Sequence, residues 1–327
     1  FGDAGDQNVI KCGSYVGNTQ TDGPHVYLGW EPQYLMIKNA DTDSTPWQVW
    51  DSMRGVVTGG NDEYLRPDNT DSTASYERIS FTPTGFKLDA NSSYVNESGK
   101  TLIYIAIRRP DGYVGKPAEV GTDVFAMDTG NESSTIPVYD SGFPVDFGIY
   151  RAPASSSTWW VNARLMQGTE LRANANNAES TWTGSVFDSN TGWAANGAAA
   201  NVQSWMWKRH AGFDVVADTG GGVAKSIPHS LGKVPEMIWR KSRSNAHGWT
   251  VYHKGLNGGT TPQNYYLQLS SADAEGDNDN VWNDTAPTST HFTVGNGQWS
   301  SDDGATFITM LFASVDGISK VGYYTGD

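Results

Sequence analysis

Cysteine is nearly absent: Cys12 stands alone in 327 residues, so no disulfide closes within one chain and no cysteine-based zinc site forms. Small secreted modules of animal type are stapled by disulfides, so domains here must be held by their cores or by neighbouring chains. Positive charge is scarce as well. Lys and Arg number 22 against 36 Asp and Glu, giving a formal net charge of −14 and a pI near 4.7. That sign is wrong for neutralising phosphates and argues against nucleic acid as a partner. No apolar run approaches the roughly 18 residues of a membrane span, so membrane insertion is not expected. Helical runs are missing too, and nothing supplies the amphipathic crossovers, on the order of a dozen residues or more, that a parallel α/β fold requires.

What is abundant is Gly (37), Tyr (15), Pro (14) and Trp (13), with many Asn, Asp, Ser and Thr. Turn formers mixed with pleat-packing aromatics favour short strands joined by tight turns. The chain also repeats itself. Residues 25–55 read HVYLGWEPQYLMIKNADTDSTPWQVWDSMRG, and residues 228–258 read PHSLGKVPEMIWRKSRSNAHGWTVYHKGLNG. Leu28, Gly29 and Pro32 fall on Leu231, Gly232 and Pro235, an apolar run follows each Pro, and Trp47 meets Trp249 across a one-residue gap. A degenerate third copy runs from Ser141 to Gly168, with Gly142, Phe143 and Pro144 leading into Phe147 to Tyr150. A spacing of roughly 90 to 115 residues is too long for a solenoid unit and suits a small domain.

Each copy closes on an apolar strand: Thr101 to Arg108, Val202 to Trp207, and Thr306 to Ala313. Lys320 to Asp327 restates Lys11 to Asn18, so a further repeat is expected to start there, and the chain, beginning at Phe1, is expected to be a piece of a longer array. The sequence therefore predicts an all-β protein of three tandem β-sandwich-like domains: residues 1–121 with a Gly- and Pro-rich linker from Arg109, a divergent repeat over 122–212, a third over 213–318, and a restart at 319–327.

Motifs that carry chemistry are few. Gly99-Lys100-Thr101 has the end of a phosphate loop, but Tyr94 stands where its first glycine belongs. Gly220 to Ser226 has Ala224 before Lys225, and neither segment leads into a helix that would cradle phosphate. His25, His210, His229, His247, His253 and His291 lack metal-ligand spacing and read as hydrogen-bonded loop and strand residues. The acidic clusters Asp41/Asp43, Asp277/Asp279 and Asp302/Asp303 read as solvated turns, with weak calcium binding as the alternative. No nucleophile elbow or repeated acid pair appears, so no catalytic, cofactor-binding or metal residue is assigned and no turnover is expected. Trp47, Trp160 and Trp249 are expected in the cores. Trp30, Trp182, Trp193, Trp282 and Trp299 fall in turns or loops, where they would stack on sugars or fill a seam between subunits.

The segments IPHSLGKVPEMIWRKSRS, WTVYHKGLNGG, DTAPTSTHFTVG and MLFASVDGISKVGYYTGD make the third repeat similar to a module found in tandem in tail-fibre and other virion proteins of marine tailed bacteriophages, notably those infecting cyanobacteria. The first repeat resembles a more divergent form through CGSYVGN, EPQYLMIKN, VWDSMRG and GKTLIYIAIR. The second joins them by order and spacing. The resemblance implies a virion location, other virion proteins as partners, a β-rich module and a homotrimer; it implies no catalytic residue. The expected function is that of a structural tail-fibre segment that spaces or presents a host-receptor-binding surface. A polysaccharide-degrading fibre (depolymerase or glycosidase) and a stand-alone carbohydrate-binding module are the alternatives, with host surface glycan the partner in either case.

Overall fold

The computed structural model describes residues 9–108 and 120–324, and the chain divides into two compact units, the first over residues 1–113 and the second over 114–327. Most of the linker expected over 109–121 lies outside the described residues.

Unit one is built on a four-stranded antiparallel sheet in the order Ile10–Val16, Thr101–Arg108, Pro32–Asn39, Gln48–Asp51. A second sheet, His25–Tyr27, Gly85–Leu88, Ile79–Thr82, supplies the other layer. Leu35, Ile37, Trp50, Phe86, Leu102 and Ala106, all fully buried, form the core of the unit. The closing strand, TLIYIAIR, alternates in burial as a strand with one face on a core must.

Unit two contains the same plan twice. The second repeat has the order Phe125–Thr129, Gln203–Trp207, Phe147–Arg151, Trp160–Ala163, extended by Thr169–Arg172 and Ser180–Thr181. The third has Phe213–Thr219, Thr306–Phe312, Met237–Ser242, Thr250–His253, extended by Tyr265–Gln268 and Gly276–Asp277. In all three repeats the closing strand lies between the opening strand and the strand that begins at or shortly after the recurrent Pro. The glycine three or two residues before that Pro has positive φ each time: 86° at Gly29, 76° at Gly142 and 68° at Gly232. A side chain is disfavoured there, which is why the same Gly recurs at the entry to each central strand.

The expected boundary between 212 and 213 separates two sheets but not two cores. Phe147, Val161 and Leu171 of the second repeat share one cluster with Phe213, Trp249 and Met310 of the third. The outward faces of the two main sheets are thus pressed together, and each repeat keeps its own inner core on the other side. The central strand Thr306–Phe312 is consequently buried at five successive positions, on both faces, where its counterpart in unit one alternates. Residues 320–324, expected to open a further repeat, form no strand, and Tyr324 is 92% exposed.

Several tryptophans depart from expectation. Trp30, Trp193 and Trp282, read as loop residues, are fully buried, whereas Trp47 and Trp160, expected in the cores, are only half-buried; Trp249 is buried as expected, between repeats, and Trp50 takes the core position beside Trp47. The second-repeat case has a clear cause. Gly148 occupies the central-strand position held by Leu35 and Ile238 in the other repeats, judged by its pairing with Met206 where they pair with Ala106 and Leu311. A Cβ on Gly148 would lie 2.9 Å from the indole of Trp193, so Trp193 fills the space that the missing side chain leaves.

Candidate functional site

The residues singled out for phosphate, metal or acid chemistry are drawn into the scaffold. Lys225 of the glycine-rich stretch pairs with Asp218 at 2.9 Å and begins a strand, and Thr101 begins the closing strand of unit one. Asp41 accepts the amide of Thr101 at 2.7 Å, a bond that holds its carboxylate below the usual range. Asn278, between Asp277 and Asp279, caps a four-residue helix at Asp279–Trp282 by accepting from the Asn280 amide. Asp302 accepts from the Asn245 amide group at 2.6 Å. Among the described residues no three His, Cys, Asp or Glu side chains come close enough together to hold a metal ion.

Three histidines share one local device. The Nδ1 atoms of His210, His229 and His253 accept the backbone N–H two residues on, from Gly212, Leu231 and Gly255, at 3.0, 3.2 and 3.0 Å. Nδ1 must then be unprotonated, and Nε2 of His229 is free to donate to the carbonyl of Thr288 at 3.1 Å. Burial favours the same neutral form and lowers all three, His210 to about 4.

Buried charges tie unit two together. Arg240, inaccessible to solvent, grips Asp218 with two nitrogens at 2.7 and 3.0 Å, donates to Ser300 and Thr309, and lies 4.2 Å from the centre of the Phe307 ring. Burial by itself would raise the Asp218 carboxyl, but Arg240 and Lys225 hold it below its ordinary value. Between repeats, Arg243 pairs with Glu179 at 2.8 and 3.1 Å, and the Glu179 amide donates to the Arg243 carbonyl. Lys241 is buried beside this seam, which pushes its ammonium down to about 8.

One aromatic group, packed on the core of the second repeat, remains partly open to solvent. In the second repeat Tyr150 lies between two half-buried indoles, stacked on Trp160 at 6.5 Å between ring centres and tilted against Trp182 at 5.8 Å. Its hydroxyl donates to Glu170 at 3.2 Å, and the Arg172 guanidinium sits 5.0 Å from the centre of the Trp160 ring. Strand pairing sets this up, because Trp160 lies directly across from both Tyr150 and Arg172. Burial raises the Glu170 carboxyl, against the lowering effect of the Tyr150 hydroxyl and of Arg172. Flat aromatic surface beside a carboxylate and a guanidinium offers a sugar ring both a stacking face and hydrogen-bond partners of either sense. Of these, Trp182 was visible in the sequence as a stacking candidate and Trp160 was expected in the core; Tyr150, Glu170 and Arg172 were not singled out, since only cross-strand register brings them together. A second polar feature is a depression of about 370 Å3 in the third repeat, lined by Gly222, Val223, Ala224, Asp279, Asn280, Asn283 and Asn296.

Three all-β repeats of one topology, two of them fused, define a tandem sandwich protein. The chain matches the model of a family described as a domain of unknown function (DUF7483) over residues 6–109 and 129–327, and it belongs to that family. The gap between the matched stretches spans the division between the two units. No curated protein compared with the chain matches it. Among the described residues no helix is long and apolar enough to cross a membrane.

Proposed function

We propose that the chain is a structural segment of a tailed-phage particle, most simply of a tail fibre, which spaces and presents a surface that contacts the host. The observation that carries this reading is the fusion of the second and third repeats. Their outward sheet faces share one apolar cluster, and the seam is closed by the Arg243–Glu179 pair and by a hydrogen bond from Trp249 to Arg172. Sheets locked back to back make a stiff spacer, as a fibre needs, and repetition multiplies weak contacts into avidity. The similarity of the third repeat to fibre modules of marine phages supports the same reading. Antibodies raised against the purified chain, applied as gold conjugates to phage particles that encode it, are expected to decorate the tail; unlabelled particles would overturn the assignment.

The group around Tyr150 favours host glycan as what the surface touches. Trp182→Ala is then expected to weaken binding to host surface polysaccharide by about tenfold or more, the loss of one stacking ring, with the fold unchanged. In this reading the chain holds and does not turn over. Release of reducing sugar from that polysaccharide, lost with Glu170→Gln, would show a glycosidase instead.

A further inference from the structure

We propose that the aromatic group around Tyr150 continues inward into a polar subsite, formed by Asn162, Glu170 and Ser185, that binds two adjacent hydroxyls of a neutral sugar. The inference deepens the glycan reading above and rests on it. Strand register places the residues. Tyr150, Trp160 and Arg172 form one row across three strands, and Gly148 pairs with Asn162 in the next row on the same face. Val161 pairs with Leu171, so Asn162 and Glu170 follow side by side, one residue further along each strand.

The facing sheet brings Ser185 to the same core. Ser185 pairs with Ala195, which shares a strand face with Trp193, the indole that fills the space beside Gly148. The Trp182 amide donates to the Gly168 carbonyl at 2.8 Å and the Gly168 amide to the Ser185 carbonyl at 3.3 Å. These bonds hold the turn over 182–185 beside the start of the strand that carries Glu170.

Asn162 carries the proposal. It is 0% exposed, and neither its Oδ1 nor its Nδ2 has a hydrogen-bond partner among the described residues; the Oγ of buried Ser185 has none either. A carboxamide buried in this condition forfeits a donor and an acceptor interaction at once, a cost that an apolar side chain of similar size avoids. Its counterpart is a group with a donor and an acceptor side by side. Two adjacent hydroxyls on a sugar ring are such a group, one donating to Oδ1 while the other accepts from Nδ2. The Glu170 carboxyl, which accepts from Tyr150 at 3.2 Å, has lone pairs left for a further hydroxyl and, when ionised, repels an acidic sugar. The sugar ring lies on the aromatic surface outside. Because Asn162 is closed to solvent, Trp182, half-buried and preceded by exposed Ser180 and Thr181, is the side chain that swings aside on entry.

The test measures binding to the full chain by calorimetry at pH 8 with cellotetraose, fully O-methylated cellotetraose and tetragalacturonate. Cellotetraose is expected to bind about tenfold or more tightly than either of the others, since the methylated chain has no hydroxyl to donate and the acidic one meets Glu170. Asn162→Leu is expected to remove most of the preference over the methylated chain and to raise the thermal midpoint, as for a side chain held for binding against the interest of the fold. Ser185→Ala, a smaller change, is expected to cut the preference about threefold and keeps the test decisive if Asn162→Leu unfolds. Three results would each overturn the subsite: equal affinity for cellotetraose and its methylated form, a preference unchanged in both variants, or an Asn162→Leu chain that is less stable but binds as before, the mark of an amide satisfied by ordered water only. Cellotetraose left unbound by a chain that still binds host surface polysaccharide also overturns it. Loss of both removes the glycan reading, and the subsite with it.

Discussion

The indole Nε1–H of Trp249 donates to the backbone carbonyl of Arg172 at 2.7 Å, a bond that crosses from the third repeat to the second. Trp249 is 1% exposed, and the cluster around it draws on both repeats. One side chain thus supplies apolar burial and a polar tie at the same seam. Trp249→Phe keeps most of the burial and loses the bond, and is expected to cost unit two about 1–2 kcal/mol in urea unfolding. Trp249→Ala opens a cavity between the sheets and is expected to cost about 3–5 kcal/mol. Equal losses for the two variants would show that packing contributes little.

Arg240 and Asp218 form a buried pair whose partners depend on each other. Asp218→Asn leaves the Arg240 guanidinium buried without its counter-ion and is expected to lower stability by about 3–5 kcal/mol. Thermal unfolding at pH 7 checks this. A loss no larger than that of an exposed pair such as Arg66 with Asp71 would contradict it.

Acid should act on unit two through its histidines. His210 has a folded pKa of about 4, below the ordinary 6.5 of the unfolded chain, so the unfolded state binds the proton first. The stability held in the neutral form is complete above about pH 6.5 and is lost as pH falls toward 4. His229 and His253, lowered in the same direction, add to the loss. Denaturant midpoints for unit two are expected to fall over this window. His210→Gln should make the fall shallower; an unchanged slope would remove His210 from the account.

Unit one should respond in the opposite sense. Asp62 is fully buried, accepts the Val57 amide at 2.8 Å and lies 3.4 Å from the amides of Arg78 and Ile79. Burial outweighs those donors and raises its carboxyl to about 8. A folded pKa above the unfolded value of 3.8 means that the folded state binds the proton more tightly, so stability is present below about pH 4 and declines as pH rises to about 8. Hydrogen exchange at the amides of Val57, Arg78 and Ile79, which face Asp62, reports opening of this unit. Asp62→Asn should flatten the decline between pH 5 and pH 8.

The sequence by itself determined the all-β class, the three copies and their shared order of strands. Local chemistry suffices for this: Gly29, Gly142 and Gly232 mark a backbone turn that side chains resist, and each is followed by a Pro and an apolar strand. Tertiary structure alone decided which apolar faces meet. TLIYIAIR and TFITMLF read alike as closing strands, yet within its unit the first alternates in burial and the second is buried on both faces, because unit two packs two main sheets back to back. The tryptophans divide in the same way. Trp193 sits in the core because Gly148, distant in sequence, leaves room for its indole. Tyr150, Trp160, Glu170 and Arg172 become neighbours through strand register, a relation between segments that no single stretch of residues carries.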